Sequence, residues 1–161
     1  MSDTTPENVN ATAYLKMLKL LHLAIIVAPC LFGVFVVYSH ESLQMDFNHP
    51  EDVFVYIVPL IALGGYFGSS FIFGKIIGGL RQKKNLQQKL SGYQGASLVK
   101  YALLEGPALL SFFAYMNVSH PLYLLIGVSL VVYLFFQRPS KDGIIKDLEL
   151  GHAEQRYFKN L

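Results

Sequence analysis

The chain has 161 residues, of which 53% are hydrophobic and 15% are charged, against about 25% charged in an ordinary soluble protein. A formal net charge of +2 is too small for a nucleic-acid surface, and one cysteine, Cys30, excludes an internal disulfide and any multi-thiolate zinc site. With a mean hydropathy of +0.39 and long stretches free of charge, the composition points to one domain that lives in a membrane.

A polar N-terminal tail, 1–13, leads into a first apolar stretch predicted to cross from Tyr14 to Tyr38. Val27-Ala28-Pro29-Cys30 within it has the outline of a lipoprotein cleavage box. The proline before the cysteine, the long polar N-terminus and the length of the apolar run argue instead for a retained helix. The second predicted span runs from Val53 to Leu80, the third from Ala96 to Asn117, and the fourth from Pro121 to Gln137. Each is near the ~20 residues needed to cross ~30 Å of hydrocarbon at ~1.5 Å per residue. They show little of the polar face that a helix of a soluble bundle keeps. The segment Asn117-Val118-Ser119-His120-Pro121 is short enough to make the third and fourth spans an antiparallel hairpin. The tail, 138–161, opens with Arg138-Pro139-Ser140. Pro139 stops the fourth helix, and Ser140 can cap a short one. Ile144, Ile145 and Leu148 would share one face of it. That face fits an amphipathic helix lying in the membrane interface, or else a solvated tail with a few apolar residues.

Lysine and arginine set the direction. The first loop, 39–52, holds Glu41, Asp46, Glu51 and Asp52 and neither Lys nor Arg, and the turn 118–120 has none either. The central loop holds Arg81, Lys83, Lys84 and Lys89, with Lys100 just inside the third span. The tail holds Arg138, Lys141, Lys146, Arg156 and Lys159, while Lys16 and Lys19 open the first span and Lys75 lies near the inner end of the second. The expected architecture is therefore an all-α polytopic membrane four-helix bundle. Its N and C termini would be cytoplasmic, in a bacterial inner membrane.

Glu105 is the residue most able to carry chemistry. It lies about nine residues, hence ~13 Å, into the third span, where a charged carboxylate costs a few kcal/mol (~3) unless it is paired, protonated or hydrated. His22 in the first span and Lys75 in the second enter to similar depth, and Ser69 and Ser70 lie slightly deeper. Together these residues form a candidate intramembrane polar cluster. It reads either as a clasp holding helices together or as a proton or ion site. Glycines form a second feature. Gly64 with Gly68, and Gly74 with Gly78, place small residues one turn apart on the second span. Such a face admits another helix closely, within the chain or from another one. Pro29 and Pro107 sit mid-span and Pro59 near the start of the second. Gly106-Pro107 directly follows Glu105 and would free a carbonyl there.

The second and third spans resemble the hairpin of rotary ATPase proteolipid subunits. The likeness rests on the glycines from Gly64 to Gly79, then Arg81-Gln82, then Leu103-Leu104-Glu105. It implies an ion-carrying carboxylate at Glu105. The pattern departs where Lys83-Lys84 follow Arg81-Gln82, where the loop is longer, and where Gly106-Pro107 follow the carboxylate. The chain as a whole resembles small four-helix membrane proteins of Bacteroidota without assigned function. That likeness rests on Leu18-Lys19-Leu20-Leu21-His22 with Leu31-Phe32, Ala62-Leu63-Gly64-Gly65, Ala102-Leu103-Leu104-Glu105-Gly106-Pro107 and Gln137-Arg138-Pro139-Ser140-Lys141. It implies a topology, not an activity.

No phosphate loop, HExxH, triad spacing or haem-type histidine pair is present. The sequence therefore reads as a non-enzymatic membrane protein, with no catalytic or metal-binding residue and no cofactor. It would be an accessory or structural subunit that packs with itself or within a larger membrane complex, its partners being lipid and other membrane helices, not nucleic acid. The alternative is an ion-translocating proteolipid-like subunit that uses Glu105.

Overall fold

A computed structural model describes residues 10–39 and 53–158. Among these every regular element is helical: α1 (Ala11–Ser39), α2 (Phe54–Arg81), α3 (Leu86–Val118), α4 (Pro121–Phe136), α5 (Lys141–Asp147) and α6 (His152–Gln155), with a closing 3-10 turn (Arg156–Phe158). The acidic residues of the first loop, and Lys159, lie outside the described residues.

Local signals set the helix ends. Asn10 Oδ1 accepts from Ala13 N at 3.0 Å before α1, and Asn85 Oδ1 accepts from Gln87 N at 2.8 Å before α3. Asn85 starts α3 ten residues ahead of the apolar stretch that begins at Ala96, so the basic central loop shrinks to a short turn, 82–85, and α2 and α3 form a long hairpin. Ser119 ends α3 in the left-handed conformation (φ 59°), and His120 with Pro121 at the first helical position opens α4. This is the tight turn the sequence suggests. Pro139 follows α4, and Ser140 Oγ accepts from Gly143 N at 3.1 Å to start α5.

The core is layered along the helices. Leu18, Ile77 and Leu90 share one layer. Ile26, Ala62, Leu104 and Leu130 share the next, and Val36, Val58, Phe112 and Tyr123 the last. The chain therefore runs up and down, with the start of α1, the end of α2, the start of α3 and the end of α4 at one end. Arg81, Lys83, Lys84, Lys89 and Arg138 make that the basic end. Helix α3 is central and packs against α1, α2 and α4.

Large apolar side chains cover the outside: Leu20, Leu60, Phe71 and Phe136 are each 67% exposed or more. A water-soluble protein does not leave a surface so uniformly apolar. Helices α1, α2 and α3 are each long and apolar enough to cross a membrane. Helix α4 reaches that length only together with α5, from which it is bent by 85°. The chain is a helical membrane protein with three to four such helices.

Close approaches between helices are made by Gly33, Gly65, Gly92 and Gly127. A β-carbon at Gly65 would run into the carbonyl oxygen of Leu103 and lie 2.7 Å from Pro107 Cγ. Pro107 has no N–H to give to the Leu103 carbonyl four residues earlier. The freed oxygen is thus covered by the bare backbone of α2, in the setting where Cα–H···O contacts arise. Gly33 and Gly127 flank the Phe112 ring, which α3 wedges between α1 and α4.

Candidate functional site

The polar side chains of the interior concentrate at the basic end, where α4 stops. A helix of 16 residues reaches ~24 Å, less than the ~30 Å hydrocarbon thickness. The last carbonyls of a helix are short of intrahelical donors, and Leu134 O takes one from Gln137 N at 3.0 Å. His22 of α1 is buried and places Nε2 2.9 Å from Leu134 O, which requires a proton on that nitrogen. Tyr101 of α3 packs edge-on against the His22 ring, centroids 4.7 Å apart, and donates its hydroxyl to Gln137 O at 3.3 Å. Lys100 Nζ donates to Gln137 Oε1 at 2.6 Å and lies 4.6 Å above the centre of the Phe73 ring.

The C-terminal segment closes this end. Ile144 and Leu148 are fully buried among Leu15, Leu18, Ile77 and Leu90, so the apolar side of α5 faces protein. Tyr93 donates its hydroxyl to Asp147 Oδ2 at 3.1 Å. Arg81 Nε donates to Asp147 O at 2.8 Å and its guanidinium pairs with Glu149 at 2.6 Å. Lys89 Nζ pairs with Glu154 at 2.9 Å, largely shielded from solvent. Between the ends of α3 and α4 and the side of α5 remains a cavity of about 120 Å3, with Ser97, Lys100, Gln137, Arg138 and Asp147 in its wall. A larger, almost wholly apolar cavity of about 480 Å3 opens between α1 and α4 nearer the other end, floored by Phe112, with Cys30 at its edge.

Of the residues singled out from sequence, His22 belongs to this layer and the others do not join it. Among the described residues no hydrogen bond or ion pair joins any two of His22, Ser69, Ser70, Lys75 and Glu105. Ser69 is buried and donates to Tyr66 O of its own helix at 2.8 Å, while Ser70 and Lys75 are exposed. Glu105 is half-buried one turn beyond Tyr101, and no hydrogen bond or ion pair engages it among the described residues. Of the four glycines, none meets a neighbour: a β-carbon at Gly64, Gly68, Gly74 or Gly78 would have nothing within 4 Å. Sequence reasoning missed Tyr93, Tyr101, Gln137 and Asp147. Their signal was faint: Tyr93, Ser97, Lys100 and Tyr101 recur at helical spacing around the one cation just inside the third span.

The fold and its surface define the class, an α-helical polytopic membrane protein. Compared with protein-family models, curated proteins and solved structures, the chain matches none. What it does has to be read from its own residues.

Proposed function

We propose that this chain is a non-enzymatic accessory or structural subunit of a bacterial inner membrane. In this reading it is a four-helix bundle with its basic end and both termini in the cytoplasm. It associates through one face of α2 with another membrane helix, from a second copy or a larger complex. The observation that carries the reading is the outward position of Gly64, Gly68, Gly74 and Gly78, none of which has a neighbour within 4 Å of an added β-carbon. Glycine weakens a helix by ~1 kcal/mol relative to alanine. Two glycine pairs, each at one-turn spacing and with no use inside the chain, suit a contact outside it. Phe67 and Phe71 stand between them, both more than 60% exposed, and supply ridges beside the glycine groove.

The test is Gly64→Leu combined with Gly68→Leu in the full chain. A β-carbon at either position meets nothing within 4 Å, so helix content and the melting profile in mild detergent should be retained. Native mass spectrometry and cross-linking in membranes should show an assembly with the wild type and lose it with the variant. A wild type that is monomeric in membranes, with nothing co-purifying, would sink the proposal.

A second reading has one observation in its favour: the carboxyl of Glu105, half-buried in α3, has no hydrogen-bond or ion-pair partner among the described residues. That suits a proteolipid-like ion site. Selective, protonation-dependent labelling of Glu105 by a hydrophobic carbodiimide, in a ring-sized homo-oligomer, would favour it over the first.

A further inference from the structure

The cavity at the elbow between α4 and α5 has properties that helix packing does not use. Its volume of about 120 Å3 is enough for a phosphate-sized group. Two cations reach it. Lys100 is half-buried, with an amide oxygen and an aromatic face as neighbours but no carboxylate within ion-pair distance among the described residues. Arg138 is exposed at the rim and likewise lacks an ion pair among the described residues. The one carboxylate in the wall, Asp147, is engaged by the Tyr93 hydroxyl. The α4 terminal carbonyls would repel an anion, but Leu134 O and Gln137 O are covered by His22 and Tyr101.

The cavity wall also continues into an apolar surface. Phe136 lines it, and with Phe135 presents more than half of its surface to the outside at the last turn of α4. Beyond that turn the chain bends by 85° into α5. Exposed aromatics, a sheltered ammonium and a rim guanidinium thus lie together at the elbow where the apolar α4 gives way to α5. That grouping matches an amphiphile with an anionic head. The net charge of the wall, two cations against one carboxylate, suits a singly charged anion.

We propose that this cavity is a binding site for the phosphodiester group of a membrane glycerophospholipid, held by Lys100 and Arg138, with its chains lying against Phe135 and Phe136. Lys100 would donate a remaining ammonium proton to a non-bridging oxygen. Arg138 would supply a second, bidentate contact from the water side. The site is separate from the glycine face of α2, and its failure leaves the association reading untouched.

The experiment is native mass spectrometry of the full chain in mild detergent, titrated with phosphatidylglycerol or with diacylglycerol of the same chains. Arg138→Gln, at the exposed rim, should lower phospholipid affinity about fivefold, and Lys100→Gln with Arg138→Gln about twenty-fivefold, as loss of one and two charges near a membrane surface predicts. Circular dichroism checks that the variants keep their helix content, and Arg138→Gln alone carries the test if the double variant unfolds. Diacylglycerol should bind wild type and variants alike and weakly. Inorganic phosphate at millimolar concentration should not displace the lipid. Equal phospholipid affinity of wild type and Arg138→Gln overturns the proposal, as does binding of diacylglycerol as tight as phospholipid. Displacement by inorganic phosphate overturns the lipid assignment in favour of a soluble anion.

Discussion

Replacing Gly65 by alanine tests the reasoning about where this chain's helices touch. An added β-carbon would meet the Leu103 carbonyl oxygen and stand 2.7 Å from Pro107 Cγ, some 0.7 Å inside ordinary contact. Neither neighbour can swing aside, since one is backbone and the other a proline ring. Helices α2 and α3 must therefore separate. Overpacking of this kind costs roughly 1–3 kcal/mol. Separation also removes cover from a carbonyl that has lost its helical donor, and a Cα–H···O contact is worth ~0.5–1 kcal/mol. Against this, alanine gains up to ~1 kcal/mol of helix propensity. The steric term wins, leaving a net loss of about 1–2 kcal/mol. Gly95→Ala is the control: Gly95 is exposed, with nothing within 4 Å of an added β-carbon, so only the propensity gain applies. The two variants should differ by about 2 kcal/mol in unfolding in one mild detergent, followed by near-ultraviolet circular dichroism of the tyrosines. Equal stability of Gly65→Ala and Gly95→Ala would refute the close approach of α2 to Leu103.

Gly127→Ala should destabilise for the same reason, because its β-carbon would lie 2.6 Å from Phe112 Cε1; the ring has some freedom to yield, so a smaller loss than at Gly65, read in the same melt, is expected. Ile144→Ala empties a fully buried position under α5 and should cost about 2–4 kcal/mol; limited tryptic proteolysis should then cut after Lys141 or Lys146 much faster. Glu154→Gln leaves Lys89 shielded without its carboxylate, at a cost between the ~1 kcal/mol of an exposed pair and the ~3 kcal/mol of a buried one. Glu149→Gln removes a partner from Arg81 in a pair whose side chains are 41% and 64% exposed, and should change stability by well under ~1 kcal/mol. Hydrogen exchange of the α6 amides separates these two outcomes.

Much of the fold was legible because helix ends and spans are written locally. Pro139 and Ser140 mark the end of α4 and the start of α5, and the turn at Ser119–His120 follows from its length and the proline after it. The contacts between helices were not legible. The Gly64/Gly68 and Gly74/Gly78 pairs have the right spacing for packing, but spacing does not say which face of α2 meets α3. Gly65, one residue and ~100° away from Gly64 on the helix, is the glycine that makes the contact. The same limit governs the polar residues. Depth along a span placed His22 and Glu105 at similar levels, yet the partner of His22 is a backbone carbonyl of α4, a group that no side-chain pattern reveals. The amphipathic face of α5 was visible, but only the tertiary structure shows that Ile144 and Leu148 turn toward the bundle.

The last turn of α4 gives the buried His22 its partner at the basic end. That turn takes side-chain donors from α1 and α3, and the two donors are coupled through their rings. Tyr101→Phe removes only the 3.3 Å bond to Gln137 O and keeps the ring against His22. His22→Leu removes the 2.9 Å bond to Leu134 O, which retains the Gln137 N–H at 3.0 Å, so its loss should be ~1–2 kcal/mol. Combining His22→Leu with Tyr101→Leu deletes the ring contact once, though each single variant already lacks it. That double variant should therefore cost less than the sum of its parts by about 0.5–1.5 kcal/mol, the worth of an aromatic pair. His22→Leu with Tyr101→Phe should come closer to additivity, since each change there removes a different carbonyl's donor. Additivity in the first cycle, measured by unfolding in detergent, would mean that the two rings act independently and that the end of α4 is not closed by a single coupled layer.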